Sequence, residues 1–155
     1  MEFRGIVRRL AGAGLVAAAG ATLLVGGATG AQALPQPFEV LNGNAGNLCM
    51  DHHITSGKGR VFLGVCDGTA SQQWHIAGGK FSNASGHCLD GNGGQVYTFP
   101  CQAGNPYQQW TTTAGNPKSI RHSQSGKYLH GNGNPNETLT FKPTLGTASR
   151  WVFRD

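Results

Sequence analysis

Short stretches of β-branched and aromatic residues alternate with glycine-rich segments along most of this chain. Such stretches occur at 61–63, 96–99 and 138–141, and others follow directly after each tryptophan. These residue types favour strands, and the glycine-rich segments between them are typical of turns. Beyond residue 33 no segment keeps a helical spacing of apolar residues over three turns. The 25 glycines and seven prolines also disfavour long helices. The pattern therefore predicts an all-β domain.

The three tryptophans recur in one sequence context. The triplet Gln-Gln-Trp at 72–74 appears again at 108–110 and, in the degraded form Ser-Arg-Trp, at 149–151. The spacings of 36 and 41 residues indicate a unit repeated three times. We place the units at 38–79, 80–116 and 117–155. Because no unit of about 40 residues can bury its own apolar face, we expect a closed three-part assembly with the tryptophans inside.

The first 33 residues have the composition of a secretory signal peptide. Arg4, Arg8 and Arg9 form a basic start, residues 10–30 are small and apolar, and Ala-Gln-Ala at 31–33 suits cleavage. A membrane anchor is the competing interpretation, but repeated glycines interrupt the run. We therefore predict a cleaved signal peptide over residues 1–33, a secreted protein without a stable membrane anchor, a lead-in at 34–37 and a folded domain over 38–155.

The charge of the remaining chain is mildly positive. Residues 34–155 hold nine Lys and Arg against six Asp and Glu, a net charge of +3. Most of the positive residues follow residue 116, and no stacking aromatics are interleaved with them in the way a nucleic-acid groove requires. We expect a solvated positive edge and no nucleic-acid partner.

The four cysteines of an exported domain should form disulfides. Four cysteines allow three pairings, and the repeat selects the one that stays within each unit: Cys49 with Cys66, and Cys88 with Cys101. A structural zinc site would need closely spaced cysteine pairs, which this chain lacks. We therefore expect no metal and no cofactor.

The cysteines, aspartates and tryptophans of two units form one motif. In the second unit Cys88-Leu89-Asp90 is followed by a hairpin to Cys101 and then by Gln108-x-Trp110, and the first unit repeats this order from Cys49. The motif resembles the ricin B-type β-trefoil lectin family over residues 38–155. The resemblance implies a β-trefoil with pseudo-threefold symmetry, six two-stranded hairpins and up to three shallow sugar sites.

The second unit matches the family's sugar site best. The resemblance implies that Asp90 accepts hydrogen bonds from sugar hydroxyls, that Phe99 stacks on the sugar ring, and that Gln108 braces Asp90. Tyr107 stands at a position that is often Asn, and the nearby Asn105 is a possible substitute for it. A carboxylate with amide neighbours suits vicinal hydroxyls, and an aromatic ring suits the apolar face of a pyranose.

The first unit keeps part of this set. Asp51 and Gln72 correspond to the aspartate and its brace, whereas Gly64 and Ser71 occupy the aromatic and polar positions. Phe62, two residues before Gly64, is a candidate to replace the missing aromatic.

The third unit has diverged further. Phe141 stands at the aromatic position, but His130 replaces the aspartate, Ala148 the polar residue and Ser149 the glutamine. We expect this unit to be structural or repurposed.

Catalytic patterns are weak throughout the chain. Its few carboxylates form no acid/base pair, and no Gly-x-Ser-x-Gly nucleophile motif is present. The sequence therefore predicts a small, monomeric carbohydrate-binding protein that is not an enzyme and recognises sugar units of a polysaccharide or glycoconjugate. The alternative is a degenerate trefoil that acts as a protein-binding module or protease inhibitor. The substitutions at Gly64, Ser71, Tyr107, His130 and Ala148 favour it.

Overall fold

The computed structural model describes residues 36–155, which form twelve strands and three short 3-10 turns. The strands are β1 (Glu39–Asn42), β2 (Ala45–Ser56), β3 (Lys58–Val65), β4 (His75–Ala77), β5 (Lys80–Ser82), β6 (His87–Gly91), β7 (Val96–Pro100), β8 (Trp110–Thr112), β9 (Lys118–His122), β10 (Tyr128–His130), β11 (Thr140–Lys142) and β12 (Arg150–Arg154). The turns, at Ala70–Gln72, Pro106–Gln108 and Thr147–Ser149, each precede the last strand of a set of four. The all-β prediction is confirmed.

The outer two strands of each set form a closed six-stranded barrel. β12 pairs with both β1 and β9, β4 pairs with β5, and β8 pairs with β9. Two shorter links complete the ring. Phe38 and Trp74 exchange backbone hydrogen bonds of 2.9 and 3.0 Å, and the Trp110 amide donates to the Gly79 carbonyl at 2.8 Å. Closure gives every barrel strand a partner on both sides, and three similar sets of four strands make this the expected β-trefoil.

The inner two strands of each set form hairpins that also contact one another. β2 pairs with β3, β6 with β7, and β10 with β11. β3 additionally pairs with β7, where Gly59 lies opposite Thr98 and Arg60 opposite Tyr97. Phe62 forms an isolated bridge to Thr138 of the third unit. The first hairpin therefore joins the other two, which places residues of different units side by side.

The three tryptophans are buried in one core. Trp74, Trp110 and Trp151 have relative exposures of 0%, 2% and 0%, and they belong to a single cluster of buried hydrophobic residues. Each indole N–H donates to a backbone carbonyl of the second strand in its own unit, at distances of 2.9, 2.9 and 3.2 Å; the acceptors are Met50, Leu89 and Leu129. The residue after each acceptor stands at the aspartate position of the motif, which is Asp51, Asp90 or, in the diverged third unit, His130. Each tryptophan therefore holds in place the strand that carries this residue.

Both disulfides lie within a unit, as predicted. Cys49 is bonded to Cys66 and Cys88 to Cys101, with Cα–Cα distances of 5.0 and 4.9 Å. Each joins the second strand of its unit to the end of the third strand or just beyond it. The bond therefore ties together the two strands on either side of the candidate site.

The predicted signal peptide, residues 1–33, lies outside the described residues. Of the lead-in, Gln36 and Pro37 are described; both are exposed and precede the first strand without regular secondary structure. Within residues 36–155 no helix is long and apolar enough to span a membrane.

Candidate functional site

The third residue of each 3-10 turn carries a buried polar side chain: Gln72, Gln108 or Ser149. In the second unit the turn has strong local determinants. Pro106 occupies its first position, and Asn105 Oδ1 accepts a hydrogen bond from the Tyr107 amide at 2.9 Å. Proline and an asparagine cap are both favourable at the start of such a turn. The sequence therefore fixes where Tyr107 and Gln108 lie.

Gln108 connects three parts of the second unit. Its Nε2 donates to Asp90 Oδ2 and to the Pro100 carbonyl, both at 3.0 Å. Its Oε1 accepts from the Gln102 amide at 2.9 Å. Both amide hydrogens and the amide oxygen are therefore engaged, and these contacts hold the Asp90 carboxylate in one position.

Asp90 is itself nearly buried, with a relative exposure of 2%. Asn105 Nδ2 lies 3.4 Å from Asp90 Oδ2, whereas Oδ1 has no hydrogen-bond partner among the described residues. A buried carboxylate oxygen without a donor is unusual in folded proteins. This acceptor is therefore unused within the protein, and it lies just beneath the surface of the site.

Tyr97 lies directly opposite Asp90 in the hairpin. Burial, and then the negative charge of Asp90, raise the pKa of Tyr97 to about 12. The phenol is therefore protonated at physiological pH, and the group that it faces is the Asp90 carboxylate. Lys58 from the first unit places its Nζ 3.6 Å from the centroid of the Tyr97 ring.

These side chains surround a cleft of about 280 Å³, which we call the Asp90 cleft. Its lining consists of Lys58, Asp90, Tyr97, Phe99, Gln102, Asn105 and Tyr107. Phe99 is half-buried, while Tyr107 is 41% exposed. The cleft therefore combines a carboxylate, an amide and aromatic surfaces within one small space.

The first unit repeats the bracing contact without the aromatic side chain. Gln72 Nε2 donates to Asp51 Oδ2 at 3.0 Å and to the Val65 carbonyl at 2.7 Å. Gly64 occupies the register position of Phe99, opposite the first cysteine of the unit. A Cβ atom on Gly64 would lie 2.5 Å from Asp51 Oδ2, so the carboxylate rests against the glycine. Phe62 lies opposite Asp51, as Tyr97 lies opposite Asp90. The Arg60 guanidinium carbon lies over the Phe62 ring, 4.7 Å from its centroid.

The third unit replaces the carboxylate and its brace with a network around a histidine and a serine. His130 Nδ1 lies 3.1 Å from Ser149 Oγ, and His130 Nε2 lies 2.6 Å from Asn132 Oδ1. Ser149 is fully buried. Its hydroxyl therefore completes an internal network and is not accessible as a nucleophile.

The assignment of Phe141 as the aromatic of the third unit is wrong. Phe141 lies opposite Leu129 in the hairpin, whereas the position equivalent to Phe99 is occupied by Lys142. Alternate residues of a strand face opposite sides, so Phe141 packs against the core. Its ring is stacked on Trp110 at 5.8 Å.

Two buried histidines support the turns that precede the tryptophans. His122 Nε2 lies 3.0 Å from the Tyr107 carbonyl, and His122 Nδ1 lies 2.9 Å from Ser125 Oγ. In the first unit His52 Nδ1 lies 2.6 Å from the Ser71 carbonyl. Because a carbonyl only accepts, the nearby ring nitrogen must carry the proton in each case. Desolvation by burial is the main cause that lowers the pKa of both histidines.

The recurrence of this arrangement in three units agrees with a known domain family. The model of the ricin-type beta-trefoil lectin domain matches residues 37–151. The chain belongs to the ricin-type β-trefoil lectin family. The resemblance drawn from the cysteine, aspartate and tryptophan motif is thereby confirmed.

Solved structures show the same fold at low sequence identity. A mosquitocidal holotoxin matches this lectin domain with a TM-score of 0.70 and 17% identity over 79% of this chain. The designed threefold-symmetric protein ThreeFoil matches with a TM-score of 0.65 and 20% identity over 77% of this chain. The C-terminal half of an earthworm R-type lectin, in complex with GalNAc, matches with a TM-score of 0.66 and 14% identity over 77% of this chain. This chain spans 17% of the holotoxin but 98% of each of the other two. No curated protein sequence is significantly similar to it.

The structure brings together most of the residues that the sequence assigned to the lectin's second site. Asp90, Phe99, Asn105 and Tyr107 line one cleft, with Gln108 bonded to Asp90 and buried. Asp51 and Gln72 form a separate pair in the first unit.

Three residues of the Asp90 cleft were missed: Lys58, Tyr97 and Gln102. Tyr97 could have been found from the alternation of the strand, because it lies two residues before Phe99 and so shares its face. Lys58 comes from a different unit, and the sequence carries no signal for that contact.

Proposed function

We propose that this protein is a secreted lectin that binds sugar units of a polysaccharide or glycoconjugate in the Asp90 cleft, without chemical change. The observation that carries the proposal is the Asp90 carboxylate. It is fixed by Gln108 at 3.0 Å and keeps one oxygen without a partner among the described residues, in a cleft that also contains aromatic rings.

The chemistry of the cleft suits a pyranose. Sugar hydroxyls would replace part of the network around Asp90: they would donate to its carboxylate and accept from Asn105 and Tyr97, which now face Asp90. Hydrogen bonds to a charged acceptor are the stronger ones. Phe99 and Tyr107 offer apolar surface to the C–H face of the ring. Because Asp90 is already positioned, little ordering is needed when a sugar binds.

The first unit is the weaker candidate. It retains the Asp51–Gln72 contact but has Gly64 where the second unit has Phe99. If both sites engage one polymer, avidity can exceed the affinity of a single site by roughly a hundredfold.

Two disulfides support the proposal of secretion, because reducing compartments keep thiols unpaired. We propose that the leader over residues 1–33 is removed during export. N-terminal sequencing of the protein recovered outside the producing cell should begin near Leu34, and a start at Met1 contradicts cleavage.

The test is retention on a glycan array and on insoluble polysaccharides. Asp90→Asn keeps an acceptor for Gln108 but removes the charge, and it should abolish retention at the second site. Asp51→Asn changes the equivalent contact of the first unit and is the matched control, which should retain most of the binding. Circular dichroism must show that both variants are folded.

The outcomes separate the candidate functions. Absence of retention on every glycan by the folded wild-type protein overturns the proposal. A bound protein partner that free sugar does not displace would instead support the protein-binding or protease-inhibitor alternative. The changes at Gly64, Ser71, Tyr107, His130 and Ala148 favour that alternative.

A further inference from the structure

A second and larger cleft adjoins the Asp90 cleft. Its volume is about 530 Å³, and it lies where the hairpins of the three units meet. Ser56, Lys58 and Arg60 come from the first unit, Gln95 and Tyr97 from the second, and Thr138 from the third. We call this space the hairpin cleft. Its size falls within the range of roughly 300–1,000 Å³ that is typical of ligand sites.

The two clefts share a boundary formed by Lys58 and Tyr97, which line both of them. The Lys58 Nζ sits over the Tyr97 ring at 3.6 Å from its centroid. One residue pair therefore separates the spaces. A sugar chain that leaves the Asp90 cleft on this side enters the hairpin cleft directly.

The hairpin cleft differs from the Asp90 cleft in charge. Lys58 and Arg60 are exposed on its wall, and no Asp or Glu belongs to its lining. Arg60 Nε donates to Thr138 Oγ1 at 2.8 Å, and Arg60 Nη2 donates to the Asn136 carbonyl; both acceptors are neutral. Within residues 36–155 the recorded salt bridge is Arg154–Glu39, on the barrel. Neither cation of the cleft is thus neutralised by a carboxylate contact.

The wall that carries these cations is held in place by the fold. β3 pairs with β7 at this point, with Gly59 opposite Thr98 and Arg60 opposite Tyr97. A Cβ atom on Gly59 would lie 2.2 Å from Thr98 Oγ1, so the two strands are in close contact. The positions of Lys58 and Arg60 relative to Asp90 are therefore set before a ligand arrives.

From this arrangement we propose that the hairpin cleft is a subsite for an acidic sugar, so that the lectin prefers oligosaccharides with a carboxylate- or sulfate-bearing unit next to the sugar held by Asp90. The inference rests on the proposed function of the Asp90 cleft. Lys58 and Arg60 supply charge-assisted hydrogen bonds to the anion, and the polar side chains of Ser56, Gln95 and Thr138 are available to hydroxyls. A neutral sugar would gain only the contacts with Ser56, Gln95 and Thr138.

The experiment compares matched oligosaccharides. Uronic-acid-containing oligosaccharides are arrayed beside the same compounds with their carboxyl groups reduced to alcohols, and sulfated beside desulfated counterparts. At low salt the wild-type protein should retain the acidic member of a pair about tenfold more strongly, since a charge-assisted hydrogen bond contributes about that factor. The preference should diminish as salt is added. The two sets of pairs distinguish a carboxylate from a sulfate as the anion.

Three variants test which side chains cause the preference for acidic oligosaccharides. In Lys58→Gln and in Arg60→Gln, the strengths of binding to the two members of a pair should lie within about twofold of each other. Lys142→Gln removes an exposed positive charge that lines neither cleft and should keep the full preference. Thermal unfolding checks that Arg60→Gln remains folded. If that variant is unfolded, Lys58→Gln alone provides the test.

The outcomes are distinct from those of the first proposal. Retention of neutral glycans with no preference for acidic members overturns the subsite and leaves the Asp90 site standing. An acidic preference that survives in Lys58→Gln, with Arg60→Gln folded and equally unaffected, also overturns it. Absence of retention on both members of every pair overturns the two proposals together.

Discussion

Gln108 Nε2 lies 3.0 Å from Asp90 Oδ2 in the second unit, and this contact joins the buried turn before Trp110 to the floor of the Asp90 cleft. The first unit has the same contact at the same distance between Gln72 and Asp51. In each case the glutamine also bonds a backbone carbonyl at the end of the hairpin. The contact is thus part of the fold as well as of the candidate site.

Replacing this brace should destabilise the domain. Gln108→Ala leaves Asp90 Oδ2, the Pro100 carbonyl and the Gln102 amide without their partner. We expect a loss of about 2–4 kcal/mol in the free energy of unfolding, because buried groups that lose a partner incur a desolvation cost. Urea unfolding measures it. Gln109→Ala, at the next position but outside the network, is the control and should change stability by less than about 1 kcal/mol.

Removing the exposed aromatic should affect binding and leave the fold intact. Tyr107 is 41% exposed, and the contacts to Asn105 and His122 are made by its backbone. Tyr107→Ala should therefore weaken glycan retention by about tenfold, the equivalent of one aromatic contact. Stability should change by less than about 0.5 kcal/mol. Tyr107→Phe keeps the ring; equal losses in both variants would show that the hydroxyl matters and the ring does not.

A side chain at Gly64 should disturb the first unit. Its Cβ would lie 2.5 Å from Asp51 Oδ2 and 3.1 Å from Gln72 Nε2. Gly64→Ala should therefore cost about 1–3 kcal/mol, in the range of other overpacked sites, measured by urea unfolding. Gly46→Ala is the matched control, because a Cβ there has no neighbour within 4 Å. Equal stability of the two variants would contradict the close packing around Asp51.

Stability should fall as the pH drops below 6.5. Burial lowers the pKa of His52 and His122 from the ordinary value of 6.5. The unfolded chain therefore takes up protons at a higher pH than the folded protein does. Their contribution is complete above about pH 6.5 and is lost as the pH falls through the lower, folded pKa values. Urea unfolding between pH 7.5 and 5 measures this slope.

Histidine variants test whether His52 and His122 cause this pH dependence of stability. The double variant His52→Gln and His122→Gln should show a smaller decrease in stability between pH 7.5 and 5, although its stability at pH 7.5 is lower. His53→Gln changes an exposed neighbour and should leave the slope intact. An unchanged slope in the double variant would mean that other groups dominate the pH dependence.

The repeat made much of the fold predictable. The spacing of the tryptophans predicted three units. The confinement of the cysteines to two of these units predicted the disulfide pairing, because both features depend on sequence distance alone. Asp90, Phe99 and Tyr107 could be proposed as one site because the family resemblance assigns each of them a position relative to a cysteine or to Trp110.

The remaining errors come from register and from contacts between units. The motif placed Phe141 at the aromatic position, but pairing with Leu129 turns its ring toward Trp110. The near-complete burial of Asp90 depends on its neighbours across the hairpin. Lys58 reaches the second unit only because β3 pairs with β7, and no local pattern encodes that pairing.

The pairing of β1 with β12 has a consequence for the order of events during synthesis. Glu39 and Arg154 lie 115 positions apart, yet they are bonded to each other across the first and last strands. β12 also supplies the partner of β9, so the ring of six strands has a gap until Arg150–Arg154 exist. The barrel of this domain therefore cannot close until Arg150–Arg154 have been synthesised.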